Sequence, residues 1–284
     1  MSDVRDISAG DQPAAGSRWR PAPAIRLSAA FHLGGLAAVA LDPLSWPYIG
    51  AALVANHAAL GLAVMLPRSS VLGPNLNRLP QASASRGEIA LTFDDGPDPA
   101  ATPRILDLLD RYEAKASFFC IGCKAVLYPD LVKEIARRGH GIENHSNRHP
   151  KAFAAHGIRR LQRDIETAQD VLAALAGRPP VFFRAPMGLR NPLLDPVLAR
   201  LGLTYVSWTR RGFDTVDGNP GSVLARMVRE LSAGDVLLLH DGAAADARRE
   251  ATVAVSVLPA LMDRIASAGL RPVTLRTACR ETTL

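Results

Sequence analysis

Aromatic residues are scarce in this chain. Phe, Trp and Tyr make up 5% of its 284 residues, so aliphatic packing has to build the core. Cysteine is scarcer still. The three present, Cys120, Cys123 and Cys279, are an odd number, which argues against a disulfide framework. Cys120-Ile-Gly-Cys123 has C-x-x-C spacing but no second pair, and at the end of an apolar run the two read as small buried residues. Nucleic-acid-binding signatures are missing too, as is any interleaving of aromatic with basic residues. The net charge of +6 therefore points to anionic lipid or an acidic substrate before nucleic acid.

What the chain does have is aliphatic material for one large core, with 48% hydrophobic and 21% charged residues. Residues 1–24 are rich in Ala, Gly, Pro, Ser and charge without periodicity and read as a disordered tail. Residues 25–66 change character. Leu27 to Leu41 is apolar apart from Ser28 and His32; Asp42-Pro43 and Trp46-Pro47 break the run; Tyr48 to Leu66 then carries no charge. A bilayer needs about 20 such residues in a helix. The segment reads as a membrane hairpin, with a single span as the alternative and a pair of buried core helices as the soluble reading. Arg18, Arg20 and Arg26 precede the first run and Arg68, Arg78 and Arg86 follow the second. Two spans would leave both ends in the cytoplasm of a bacterial-type inner membrane, whereas one would put the following domain outside. Residues 67–86, with Pro, Ser, Gly and Asn throughout, read as a linker.

From 87 to 284 short apolar runs alternate with amphipathic stretches. Strands are expected at 88–93, 116–121, 140–144, 180–184, 203–208, 235–239 and 272–275. The periodicity between them predicts helices, among them Pro103–Glu113, capped by Thr102, and Ile158–Ala176, stopped by Gly177. Such alternation implies right-handed βαβ units and a parallel sheet. Seven strands suggest an α/β architecture closed into a distorted seven-stranded (β/α) barrel, whose chemistry sits at strand C-termini.

The polar residues comply. The run Ile89 to Phe93 ends in Asp94 and Asp95, which alternation sends to different environments, and Gly96-Pro97 turns the chain away. After the third strand come His145 and His149, with Pro150 keeping His149 out of a helix. Asp95, His145 and His149 can supply two imidazoles and a carboxylate to Zn²⁺ or another divalent transition metal and leave a position open. Asp94 is then free to act as base. Arg184, ending the fourth strand, can hold that base ionised and oriented. The turn at Pro186-Met187-Gly188 can aim the Met187 N–H at a developing oxyanion. His240 can protonate a leaving amine, with Asp214 as the carboxylate that tunes it, while Asp241 reads as a turn residue. Water attack followed by amine protonation is metal-assisted deacylation.

The pairing of Thr92-Phe-Asp-Asp-Gly96 with His145-Ser-Asn-Arg-His149-Pro150, followed by Arg184-Ala-Pro-Met-Gly188 and Leu237-Leu-Leu-His240, resembles the polysaccharide deacetylases with a NodB-homology domain, carbohydrate esterase family four. The resemblance runs from about 87 to 276. It implies a distorted (β/α) barrel and a metal-dependent hydrolase that removes N-acyl groups, N-acetyl above all, from an amino-sugar glycan. It also matches Asp94 to the base, Asp95, His145 and His149 to the metal triad, Arg184 to the residue orienting the base, and His240 and Asp214 to the acid and its partner. One motif departs. Where the family has D-x-x-D-W this chain reads Arg211-Gly-Phe-Asp214-Thr215, with Arg for the first Asp and Thr for the Trp. An extra Arg near the site of a membrane-attached domain points to the alternative of a deacylase or deformylase acting on a polyprenyl-phosphate-linked sugar. The non-catalytic alternative, a membrane-bound carbohydrate-binding module with a relic site, is disfavoured because every catalytic role is filled. An aspartyl-phosphate phosphatase is disfavoured because its two acids stand one residue apart, and a non-haem iron oxygenase because its ligands decorate an antiparallel fold.

Overall fold

The computed structural model describes residues 19–242 and 252–280. Most of the expected disordered tail lies outside these residues, and its last two positions already belong to a helix. That helix, α1 (Pro23–Leu41), joins α2 (Trp46–Val64) through a 3-10 turn at Pro43–Ser45, where the Asp42 carboxylate accepts the Leu44 N–H. Neither helix confines its apolar residues to one side, so nothing in their pattern aims a face at the rest of the protein. They pack on each other instead. Gly35 lies against Ile49, Asn56 Nδ2 donates to Ser28 Oγ at 2.8 Å, and the His32 and His57 rings meet edge to face. Both are long and apolar enough to cross a bilayer.

The stretch that reads as a linker is partly built into the fold. Leu72 and Leu79 are buried, Leu76 pairs with Val206, and Arg78 pairs with Asp235 ahead of the short helix α3 (Gln81–Ser85). Its apolar residues at 72, 76 and 79 neither alternate nor sit among strand formers, so the sequence hides the pairing.

The sheet begins with β1 (Glu88–Asp94), β2 (Ser117–Cys120), β3 (Gly141–Asn144) and β4 (Phe182–Phe183). It continues with β5 (Thr204–Tyr205), β6 (Arg210–Arg211), β7 (Val236–His240) and β8 (Arg271–Val273). The order is β5-β4-β3-β2-β1-β7-β6, with every pair parallel and β8 added beside the start of β1. The chain through the expected fifth strand, 203–208, and just beyond it serves both edges. Thr204–Tyr205 pairs with β4 and Arg210–Arg211 with β7, so the sheet curls into a distorted barrel, and residues 76–79 fill the seam.

Helices α4 (Thr102–Arg111), α5 (Gly122–Leu127), α6 (Pro129–Arg137) and α7 (Ile158–Ala176) wrap the outside. With them are α8 (Leu194–Leu201), α9 (Pro220–Val228), α10 (Val253–Ser267) and α11 (Leu275–Cys279). Alternation sorts β1 in two. Ile89, Leu91 and Phe93 join Ile105, Leu109, Leu258 and Leu261 in the outer core, while Ala90 packs with Phe119, Phe182 and Val236. Each fully buried Leu or Ile of this kind contributes about 1.5–3 kcal/mol. Helix α7 runs between the residues its periodicity predicts, and Gly177 ends it at φ 71°. Thr102 does not cap α4 as expected. No side chain caps α4; Asp98 Oδ1 accepts the Ala100 and Ala101 N–H groups in the turn just before it, and Thr102 Oγ1 donates to Asp241.

Candidate active site

Strand register brings the functional side chains to one end of the barrel. Asp94 lies opposite His240 on the neighbouring strand, and Asn144, just before His145, lies opposite Phe183, just before Arg184. Two pairs of site residues therefore leave neighbouring strands at matched levels, Asp94 with His240 and His145 with Arg184. Asp95 turns out of β1 in the left-handed region at φ 75°, so its carboxylate stays near that of Asp94 instead of pointing to the far face. Ser146, His149, Met187 and Phe213 also have positive φ, so among the described residues five of the seven non-glycine residues in that region surround this site. Backbone strain collected in one place is a mark of a functional constellation.

Asp95 Oδ1 lies 3.2 Å from His149 Nε2 and 3.4 Å from His145 Nε2, and His145 Nε2 lies 3.9 Å from Asp94 Oδ2. The far nitrogen of His145, Nδ1, donates to the Arg184 carbonyl at 2.8 Å, which leaves Nε2 as the lone-pair side. His149 sits in a loop, as Pro150 implies. Its N–H donates to Ser146 Oγ, and Asn144 and Asp164 hold the same loop through the N–H groups of Ser146 and Asn147. Asp95 Oδ1 is buried and accepts no hydrogen bond. Two imidazole nitrogens and an orphaned carboxylate oxygen, facing one another within 4.8 Å, form a donor set suited to a divalent metal.

The field agrees. Burial penalises the Asp95 anion, but the imidazoles around it outweigh that and hold its carboxyl far below the usual range. Burial opposes the His145 cation, yet the Asp94 and Asp95 carboxylates pull its pKa up. His149 is pushed down to about 4, by burial and then by repulsion from His145, so it offers a neutral ring at pH 7.

Asp94 is 3% exposed and Arg184 fully buried. Arg184 Nη1 donates to Asp94 Oδ1 at 2.6 Å and to Thr92 Oγ1 at 2.9 Å; Nη2 donates to the Ser207 carbonyl, and the guanidinium lies over the Phe119 ring. Across the site His240 is gripped twice by Asp214, with Nδ1 2.9 Å from Oδ1 and its backbone N–H donating to Oδ2 at 2.8 Å. Burial acts to lower the pKa of His240, but the Asp214 hydrogen bond, with the Asp94 and Asp95 charges behind it, raises it overall. Met187 stands at φ 57° in the turn after β4. Gly188 beside it has φ 74° and carries the Trp208 ring where a Cβ would be, so only glycine fits.

Comparison with known proteins agrees with this geometry. The family model for polysaccharide deacetylase matches residues 81–206. A peptidoglycan-N-acetylglucosamine deacetylase of Bacillus cereus is 34% identical over 189 residues, covering 66% of this chain and 85% of that protein. A chitooligosaccharide deacetylase of Sinorhizobium fredii is 31% identical, covering 66% and 92%. The chain belongs to the polysaccharide deacetylase family. It is thus a hydrolase of amide bonds. The barrel superimposes on a crystal structure of a peptidoglycan N-acetylglucosamine deacetylase with a TM-score of 0.66, at 29% identity over 72% of this chain and 92% of that one. A family 4 carbohydrate esterase from Streptomyces lividans, solved with acetate, gives 0.59 at 29% identity, covering 66% and 91%.

Several parts of this deacetylase fold escape sequence reading. Lys124 Nζ donates to the backbone carbonyls of Asp95 and Gly242, clamping the loop that carries Asp95. Asp241 is more than a turn residue. It is buried against Gly96, its N–H donates to the Asp94 carbonyl, its Oδ2 accepts from Thr102, and burial raises its pKa to about 7. Thr92 was findable, since a residue two before Asp94 shares its face. Of the C-x-x-C pair, Cys120 is buried as expected, but Cys123 is exposed; all three cysteines are free thiols. Arg211 has aromatic rings of Trp208 and Phe213 at 5.2 and 5.0 Å from its guanidinium, and its buried Nε has no hydrogen-bond partner.

Proposed function

We propose that this chain is a metal-dependent deacylase that removes N-acetyl groups from an amino-sugar glycan. The observation that carries the reading is the meeting of Asp95 Oδ1 with the Nε2 atoms of His145 and His149, flanked by Asp94–Arg184 and by His240–Asp214. Asp95, His145 and His149 would hold Zn²⁺ or another divalent transition metal, which when bound polarises an acyl carbonyl and acidifies water. The remaining roles fall to the chain. Asp94, paired with and aimed by Arg184, takes the proton from the attacking water. The Met187 N–H donates to the carbonyl oxygen as it gains negative charge. His240, cationic and held by Asp214, passes its proton to the departing amine nitrogen, so that acetate and a free amino sugar result.

The domain from 87 to the C-terminus carries this chemistry, α1 and α2 anchor it in a membrane, and residues 67–86 tie the two together. The relatives' substrates, peptidoglycan and chitooligosaccharide, supply the substrate class. A second reading has one observation in its favour. Arg211 presents a guanidinium without an acidic partner among the described residues, three positions from Asp214, which suits a phosphate on a polyprenyl-linked amino sugar. The deciding experiment measures acetate and formate release by the zinc-loaded full chain from N-acetylated glycan oligomers and from polyprenyl-phosphate sugars, with Asp94→Asn as control. Release abolished in Asp94→Asn supports the enzyme; a chain that binds glycan but releases no acyl group from either substrate is a binding module.

A further inference from the structure

The two ends of the barrel differ in kind. At the strand N-termini Arg178, Arg276 and Arg280 line a cavity of about 410 Å³. At the other end, around the catalytic constellation, large apolar side chains stand in water. Met187 is 52% exposed, Leu193 44%, Phe213 47% and Val216 80%. All four lie in connections that leave strand C-termini, Met187 and Leu193 after β4 and Phe213 and Val216 after β6. The exposed Val126 and Leu127, after β2, belong to the same end. Among the described residues past 72, the exposed large apolar side chains all lie in such connections.

The helical pair joins the barrel at this same end. Trp19 Nε1, just ahead of α1, donates to Asp195 Oδ2 at 2.8 Å, and Pro67, just after α2, packs where Gly188 approaches Trp208. Gly188 and Asp195 belong to the connection from β4 into α8, the one that also carries Met187 and Leu193. Both ends of the hairpin are therefore tied to the rim of the site.

We propose that this rim is a membrane-docking surface, with Met187, Leu193, Phe213 and Val216 seated in the interface of the bilayer that α1 and α2 enter, so that the site faces amino sugars held at the membrane surface. The occupant is lipid because the apolar rim is continuous with the attachment of two helices whose exposed residues are apolar apart from Arg26 near the start of α1 and His57 in α2. Aliphatic side chains such as Leu193 and Val216 also lack the flat ring faces on which sugars stack. The proposal rests on the reading of α1 and α2 as membrane helices.

The test uses the full chain in vesicles of phosphatidylethanolamine and phosphatidylglycerol containing lipid with brominated acyl chains. Exposed Cys123 and half-buried Cys279 are replaced (Cys123→Ser, Cys279→Ala), and one environment-sensitive fluorophore is attached through Val216→Cys, Leu193→Cys, Leu36→Cys or Ser267→Cys. Ser267 is exposed at the end of α10, where the chain enters β8. Labels at 216 and 193 are expected to shift to the blue and lose most of their emission to bromine, as at Leu36, while the label at 267 keeps its aqueous spectrum. A quenched Leu36 with aqueous labels at 193 and 216 overturns the docking surface and leaves the membrane helices standing. If Leu36 is aqueous but 193 and 216 are quenched, the rim binds lipid by itself and the proposal as stated, docking on the bilayer that α1 and α2 enter, is overturned. Aqueous labels at all four positions overturn both.

Discussion

Replacing Arg184 by Met tests how the base is held. The guanidinium is fully buried and spends donors on Asp94, Thr92 and the Ser207 carbonyl, so no solvent waits to take its place. Its loss leaves the Asp94 carboxylate buried without a counter-ion. Breaking a buried pair by removing one partner costs about 3–5 kcal/mol. For a domain of this size 1 kcal/mol moves Tm by about 2–4 °C, so Arg184→Met should melt roughly 6–20 °C lower. Removing both charges should cost less than removing one, because Asp94→Leu with Arg184→Met leaves no isolated ion. Thermal unfolding of the four proteins of this double-mutant cycle, followed by circular dichroism, gives the coupling directly. Activity separates the two effects. Arg184→Met should lose acetate release even well below its Tm, and Arg184→Lys should restore part of the stability but little of the rate, since an ammonium cannot reproduce the planar fork. Costs of the two single substitutions that simply add, or a single substitution worth less than about 1 kcal/mol, would refute this account of the pair.

Other expectations follow from the same geometry. Asp214→Asn removes the carboxylate charge that helps raise the His240 pKa, so the high-pH limb of kcat/KM, where the acid loses its proton, should move to lower pH, and an unmoved limb would deny His240 that role. His149→Ala removes one ligand of the proposed site, and metal content after dialysis should drop from one ion per chain toward none with the fold intact by circular dichroism. Glu143 is fully buried and its pKa is pushed up to about 7 by burial, so the native state holds its proton more tightly than the unfolded chain does. Stability from this group is full below its ordinary value near 4.5 and is lost as pH rises through about 7, roughly 3 kcal/mol in all. Glu143→Gln should therefore flatten the fall in Tm between pH 5 and pH 8; an identical slope would show the group is solvated.

Much of this was legible in the sequence because it rests on strong local signals. The aliphatic run before Asp94, the turn after it, and the period of α7 are short-range patterns, and strand C-termini collect a barrel's polar residues whatever the loops do. His145 and His149 were legible for the same reason, with Pro150 keeping them on a turn. What the sequence could not display depends on partners far along the chain. Leu76 and Arg78 acquire β-bridges only because the two ends of the run from Thr204 to Arg211 leave a seam for them. Asp241 looked like a turn residue because its partner, Thr102, lies 139 positions away. The alternation rule, applied to Asp94 and Asp95, sends them apart; the left-handed backbone at Asp95 cancels it, and nothing in an Asp-Asp-Gly-Pro string announces that conformation.

The central claim is that Asp95, His145 and His149 share one ion. Anomalous diffraction at the zinc edge from crystals of the zinc-loaded chain tests it most directly. A single strong peak about 2.0–2.2 Å from Asp95 Oδ1 and from both Nε2 atoms is the predicted result. An active enzyme whose crystals place the ion elsewhere, or show no peak between these three residues, would contradict it.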